Sequence, residues 1–546
     1  MKRIAVILLA IGIGFVPGLI SKASCQKTVL PTIEQDKTRL SSVASVLVTK
    51  FDIRGNTIFT EDELHKLLAP WIGKKISAEE LQDAKNAVTR YYIDRGYINS
   101  GAVIPDQELR NGVIILKITE GRLTKTKVTG NSWLKDSFVL KRLKPATNTT
   151  NEPLNILKLQ QRLKLIKQDH RIDNINAELS PGLEPGQAEL QVEVDEARPW
   201  YLELTFNNHN SPSIGPYRGE VGLGFINLTG WGDELHGKYA LTEGLDDYSA
   251  SYILPLSAKD TTLAFEVERS ESVVVAYPFE QLNIKSETDT YSARLRHPFI
   301  KTLSKEFALS AKFEVSESKT SLLNEPFSFS PGVVNGESKV AVLRMSQEFV
   351  HRSLNQVFAL YSSVNFGLDA LDSTMSGSEP DSEFISWLGQ AQVIRRLKAL
   401  DSQVLISMNI QLSDDPLLPM EKFAVGGSSS VRGYRENMMT TDNGLTASVE
   451  WRIPVFSLKI PYLSKNSQDG MIRFCPFADY GRGWNAEGKD PDPSEIYSIG
   501  AGARWSISKD ISAEIYWGEA LKDPDNTDEY DIQEDGIHFQ VKARIF

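Results

Sequence analysis

Arg432 stands among small residues in the stretch "GGSSSVRGYREN", residues 426 to 437. A glycine- and serine-rich backbone around a cation has two chemical uses. It can cradle a phosphate, or it can let a charged loop fold sharply into a confined space. A phosphate cradle needs a helix N-terminus directly after it, and here the following "GLTASVEW" alternates as a strand does. The second use is therefore expected. A lone arginine in a confined space needs an acceptor, because an unpaired buried charge is costly. Downstream, "FCPFADYGRGW" sets Asp479 in mid-strand, two residues after Phe477 and two before Gly481. Its carboxylate could clamp Arg432 through both oxygens, or each charge could be solvated separately. Residue types alone leave both arrangements open.

No other constellation offers catalysis. Ser428 to Ser430 lack the second glycine of a nucleophile elbow, and the seven histidines include no H-E-x-x-H pair. The acidic run "KDPDNTDEYDIQEDG" breaks the spacing of a calcium loop and reads as a solvated hairpin connection. No cofactor, no metal and no enzymatic activity are expected. A formal charge of −11 over 546 residues excludes a general nucleic-acid binder, which needs a basic stripe.

The elements that must position these residues fall into distinct segments. "MKRIAVILLAIGIGFVPGLISKAS" has a basic start, an apolar run and small residues, the plan of a secretory signal at residues 1–23 with cleavage after Ala23. Lys22 stands where a lipobox wants an aliphatic residue, which argues against lipidation of Cys25. With Cys475 the only other cysteine, no structural disulfide is expected. Residues 24–45 read as a polar linker.

Two successive units of one build follow, at 46–121 and 122–197. In the first, a strand ends at Gly55-Asn56. Helices open on Thr60 with Glu63 and on Ser77 with Glu80, both at capping-box spacing. Two alternating runs, "SGAVIP" and "GVIILKITEG", close it. The second unit repeats the order with Gly130-Asn131, helices in "LKDSFVLKRL" and "LNILKLQQRLKLIKQ", and strands in "INAEL" and "AELQVEVDEA". Such a repeat implies two small α+β modules.

From 198 to 546 helical periodicity gives way to alternation. Phe307, Leu309, Ala311, Phe313 and Val315 share one face against Ser310, Lys312, Glu314 and Ser316; Ile515 and Trp517 oppose Glu514 and Tyr516. A soluble sandwich also alternates. The polar face here is rich in full charges, however, and some 350 residues supply about sixteen strand-and-turn units, which fits a lipid-embedded barrel with a polar lumen. Arg432 then lies in a barrel loop between "SQVLISMNIQLS" and "LTASVEWRIP".

The Gly-Gly-serine run leading into Val431, Arg432, Gly433 and Tyr434, followed some 45 residues later by Phe-x-Asp-x-Gly, resembles the two signature motifs of the outer-membrane transporters of two-partner secretion. These are the TpsB family, the haemolysin secretion or activation proteins. The paired upstream modules resemble that family's POTRA domains, and the likeness covers nearly the whole mature chain in order. It implies two periplasmic POTRA domains and a sixteen-stranded antiparallel barrel in the outer membrane of a diderm bacterium. It implies a long extracellular loop folded into the lumen, with Gly427 and Val431 to Tyr434 at its tip, and Arg432 locked to Asp479 of the strand motif Phe477–Gly481. A TpsA-like exoprotein of haemolysin or adhesin type would be bound unfolded by the POTRA domains and passed outward. The partners implied are that exoprotein, outer-membrane lipid, and the barrel-assembly machinery that inserts the pore. The alternative is a barrel-assembly or insertase-type member of the same superfamily, which often carries more POTRA units. Two departures stand out: residues 26 to 45 make a poor plug helix, and the apolar face of Phe539, Val541, Ala543 and Ile545 is out of phase with the terminal Phe546.

Overall fold

The computed structural model describes residue 40 and residues 44–147, 152–375, 380–522 and 531–545. The expected signal segment, most of the linker, part of the acidic run and Phe546 lie outside the described residues. The chain divides into two compact units. One comprises Met1–Thr89 with Ala102–Ile118, and the other Arg90–Gly101 with Thr119–Phe546.

In the first unit the strand Lys50–Arg54 pairs in parallel with Val113–Thr119. Both predicted capping boxes form. The Glu63 N–H donates to Thr60 Oγ1 at 3.3 Å while Thr60 N–H donates back to Glu63 at 2.9 Å, and Ser77 and Glu80 repeat the exchange at 3.2 and 2.7 Å. Each reciprocal pair satisfies orphan donors at a helix start, so the helices Glu61–Leu68 and Ala78–Asp94 begin where the spacing says. Their apolar faces supply Leu64, Leu68, Ala84 and Val88 to a core closed by Phe51, Ile114 and Leu116. A short antiparallel pair, Ser45–Leu47 with Lys75–Ser77, is additional to the expected order.

The second unit opens with the same βααββ order. Arg122–Thr129 pairs in parallel with Gln187–Glu196, and Ile172–Pro181 pairs antiparallel on that strand's other side. Gly130 shares the left-handed backbone of Gly55, at φ +86° and +83°. A Cβ at either glycine would meet a carbonyl of the neighbouring strand, Val194 O at 2.6 Å or Ile118 O at 2.5 Å. The two Gly-Asn turns are thus one structural device used twice. The first helix differs from expectation: it runs Asp136–Thr147, through Pro145, because Ala146 still packs on the core of Val139, Leu143, Leu159, Val192 and Val194.

Sixteen antiparallel strands then close a barrel, from Trp200–Asn207 to Ile537–Ile545, with the last strand paired to the first over six positions from Gln540↔Asn207 to Ile545↔Leu202. The alternation sorts as predicted but with inverted polarity relative to a soluble core. Ser310, Ser316, Ser346, Ser363 and Asn365 are buried, while Leu309, Phe313, Phe265, Val267, Ile515 and Trp517 are exposed. Polar residues inside and a band of large apolar residues outside are the requirement of a barrel solvated by lipid, and no sandwich core would bury so many hydroxyls. No helix among the described residues is long and apolar enough to cross a membrane; the strands are what cross.

Candidate functional site

The eleventh barrel strand (Gln403–Ser413) and the twelfth (Asn443–Ser457) are joined by the long connection that contains Arg432. Its arms pair as a small ribbon, Phe423–Val425 with Met439–Thr441, and between them Gly426, Gly427, Val431 to Tyr434 and Glu436 are buried. It reaches residues of the twelfth and thirteenth (Met471–Trp484) strands that point inward, opposite in parity to the exposed Val449 and Trp451. The loop therefore lies in the lumen.

Arg432 is 7 % exposed and Asp479 4 %. The guanidinium grips the carboxylate with two parallel bonds, Nε to Oδ2 at 2.8 Å and Nη2 to Oδ1 at 2.9 Å, and the Arg432 backbone N–H adds a third to Oδ2 at 3.1 Å. The bidentate arrangement is the one of the two open readings that the geometry holds. Two further side-chain bonds leave the fork. Nη1 donates to Glu450, and Nη2 reaches Ser448 Oγ at 3.1 Å. Ser448 in turn donates to Asp479 at 2.5 Å from the directly opposite register position. Phe477 lies flat against the cation, its ring centroid 3.6 Å from the guanidinium carbon, with Tyr516 on another side at 4.8 Å. These faces exclude water and add cation–π attraction.

Glu450 also accepts from Arg452 Nε at 2.6 Å and from the Tyr516 hydroxyl at 3.2 Å. Two cations and two anions thus meet in one cluster with no net charge, buried except for the partly exposed Arg452, and that neutrality is what makes its burial tolerable.

The other motif residues shape the tip. Val431 and Tyr434 are buried with Val425, Met439 and Ile496. The Tyr434 hydroxyl accepts from Lys522 N–H at 3.1 Å and lies 2.9 Å from the Lys522 carbonyl. Gly433, at φ +94°, passes against the backbone of Gly518, where a Cβ would sit 2.9 Å from the Gly518 carbonyl oxygen. The Val425 and Val431 side chains occupy the space where Gly481 would otherwise carry a Cβ. Gly427 lies against the Glu436 carboxylate, which accepts from both the N–H and the hydroxyl of Ser428. Burial pushes the Glu436 carboxyl above its ordinary range, and the Ser428 bonds offset this in part.

Sequence reasoning found Arg432, Asp479 and the motif residues but missed Glu450, Ser448 and Tyr516. Parity was the available signal: Ser448 and Glu450 occupy the inward face of "LTASVEWRIP". What was lacking was the register that sets them opposite Asp479 and Phe477. Also missed was an anchor at the loop's base, where Glu421 receives two bonds from Arg344 of the eighth strand (Glu337–Arg352), at 3.0 and 2.8 Å. Arg344 also holds Glu314 of the seventh (Lys305–Leu322).

Comparisons with known proteins agree with this architecture. The chain is 24% identical over 508 residues to the heme/hemopexin transporter protein HuxB of Haemophilus influenzae strain 86-028NP, covering 87% of this chain and 84% of that one. It is 25% identical over 502 residues to the outer membrane transporter CdiB of Escherichia coli O6:K15:H31, covering 88% and 79%. Among solved structures, CdiB from Escherichia coli superposes with a TM-score of 0.67 over 95% of this chain and 93% of that one, at 22% identity. BamA from Haemophilus ducreyi lacking POTRA domains 1–3 gives 0.55 over 91% and 100%, at 14% identity, a likeness of fold alone. The model of the ShlB-type POTRA domain matches residues 46–121, and that of the haemolysin secretion/activation proteins matches residues 186–505, more than half of the chain. By that match the chain belongs to the haemolysin secretion/activation protein family ShlB/FhaC/HecB, the outer-membrane transporters of two-partner secretion.

Proposed function

We propose that residues 46–121 and 122–197 act as tandem POTRA domains that bind an unfolded segment of the secreted exoprotein in the periplasm. The barrel of residues 198–546 conducts it outward, and the Arg432–Asp479 clamp fixes the inward loop at rest. The observation that carries the reading is the loop itself: a closed barrel whose lumen holds a long extracellular connection, its tip pinned by a neutral ion cluster and its base by the Arg344–Glu421 pair. A pore that must stay shut between transport events needs a plug held by a few breakable bonds, and this is one.

Capture has a physical basis in both modules. The strands Lys50–Arg54 and Ile172–Pro181 are sheet edges that can accept an extended segment by β-augmentation. The first unit also has an open cleft of about 230 Å³ beside its short strand pair, lined by Val46, Ile76, Leu81, Ile104 and Pro105, suited to apolar side chains of an unfolded chain. HuxB and CdiB are named as transporters, which favours export over the insertase alternative. Insertion by the barrel-assembly machinery completes the proposal. Deleting residues 46–121 is expected to abolish export of the partner while the barrel still inserts, as read by heat-modifiable gel mobility. Normal export at matched outer-membrane levels would overturn the capture role.

A further inference from the structure

The first barrel strand follows the periplasmic module, so the even-to-odd connections of the barrel lie at its periplasmic end. Two of them touch the second βααββ unit. Lys135 N–H donates to Gly230 O at 3.0 Å in the turn between the second strand (Arg218–Ile226) and the third (Glu234–Leu241). Arg142 pairs at 2.8 Å with Asp260, in the turn between the fourth and fifth strands. At the first of these junctions two tryptophans are left open: Trp133 is 60 % exposed and Trp231 58 %.

Two ammonium groups stand over the Trp231 ring, Lys135 Nζ at 4.9 Å and Lys141 Nζ at 5.6 Å from its centroid. Neither has a carboxylate within ion-pair distance among the described residues. Three residues before Trp231, Leu228 is exposed, and Phe225 ends the exposed apolar row of the second strand. The lipid-facing band thus runs down to the level of the two indoles. Exposed lysines and arginines continue round this rim at Lys259, Lys305, Arg352 and Arg395.

We infer that this corner of the periplasmic rim, formed by Trp133, Trp231, Lys135 and Lys141, binds the headgroup of an anionic phospholipid of the inner leaflet. The chemistry selects that occupant. Indoles settle at the boundary between acyl chains and headgroups, where one edge is apolar and the other wet. Unpaired ammoniums at the same depth attract a net negative headgroup and are indifferent to a zwitterionic one. A free inorganic phosphate would satisfy the lysines but leave the indoles and Leu228 without a partner. The backbone bond to Gly230 and the Arg142–Asp260 pair fix the corner, so its charges are placed before lipid arrives.

The test uses the purified full chain, delipidated in detergent and offered an equimolar mixture of phosphatidylglycerol and phosphatidylcholine, with retained lipid counted by native mass spectrometry. Phosphatidylglycerol is expected to be retained in preference, and Lys135→Gln with Lys141→Gln should cut that preference roughly tenfold, since each basic residue near an anionic surface contributes severalfold. Lys319→Gln, at the extracellular end, should leave it unchanged. Should the double variant fail to show heat-modifiable mobility, the native chain decides: its preference must collapse as salt is raised, because exposed charges are screened. Equal retention of both lipids by the native chain, or an unaltered preference in a folded double variant, overturns the assignment.

Discussion

Arg432 carries five donor hydrogens in a fixed fork, and its Nε, Nη1 and Nη2 nitrogens all find acceptors among Asp479, Glu450 and Ser448. Removing either side of such a buried pair leaves the other charge uncompensated, a cost of about 3–5 kcal/mol. Arg432→Lys keeps the charge but loses the planar fork that spans both Asp479 oxygens while also reaching Glu450. Export by Arg432→Lys, measured as partner protein in the medium per barrel in the membrane, is expected to fall clearly below the native level. Native export by the lysine variant would mean that charge alone suffices. Residue types and spacing offered Arg432 and Asp479 as one pair among several, since Arg435, Glu436 and Arg482 stand in the same two segments; the resemblance of both segments to the family's signature motifs is what joined them. Glu450 was not legible, because "VEWRIP" mixes charges whose inward partners only the register reveals.

At the scale of elements, period and caps were enough to place most of the fold. The capping boxes at Thr60 and Ser77 fixed two helix starts, and the alternation around Phe313 and Ile515 assigned faces correctly. What the pattern could not give was the end of the helix through Pro145, which tertiary packing of Ala146 decides, or the base anchor of Glu421 on Arg344, which needs strands far apart in sequence. The face assignment makes a prediction of its own. Val267, exposed in the middle of the fifth strand (Thr262–Val273), faces lipid, whereas Glu266 beside it faces the lumen. Val267→Arg should cost roughly 2–4 kcal/mol near the bilayer midplane and deplete the heat-modifiable barrel, while Glu266→Arg should assemble normally. Equal assembly of the two variants would contradict the assignment of faces.

For the whole molecule the central claim is that one loop, held in the lumen by Arg432 and Asp479, controls passage of the exported chain. The barrel does not depend on that pair, since its backbone ladder satisfies itself strand to strand. Function and assembly can therefore be read separately in the same cells. The most direct measurement is a double-mutant cycle on export: Arg432→Ala, Asp479→Ala and the two together, each normalised to heat-modifiable barrel in the outer membrane. Groups that act as one clamp lose their joint contribution once, so both single variants should lose export and the double variant should be little worse than either. Losses that simply add in the double variant would show that the two residues act independently, and would contradict the account of the loop as a lock.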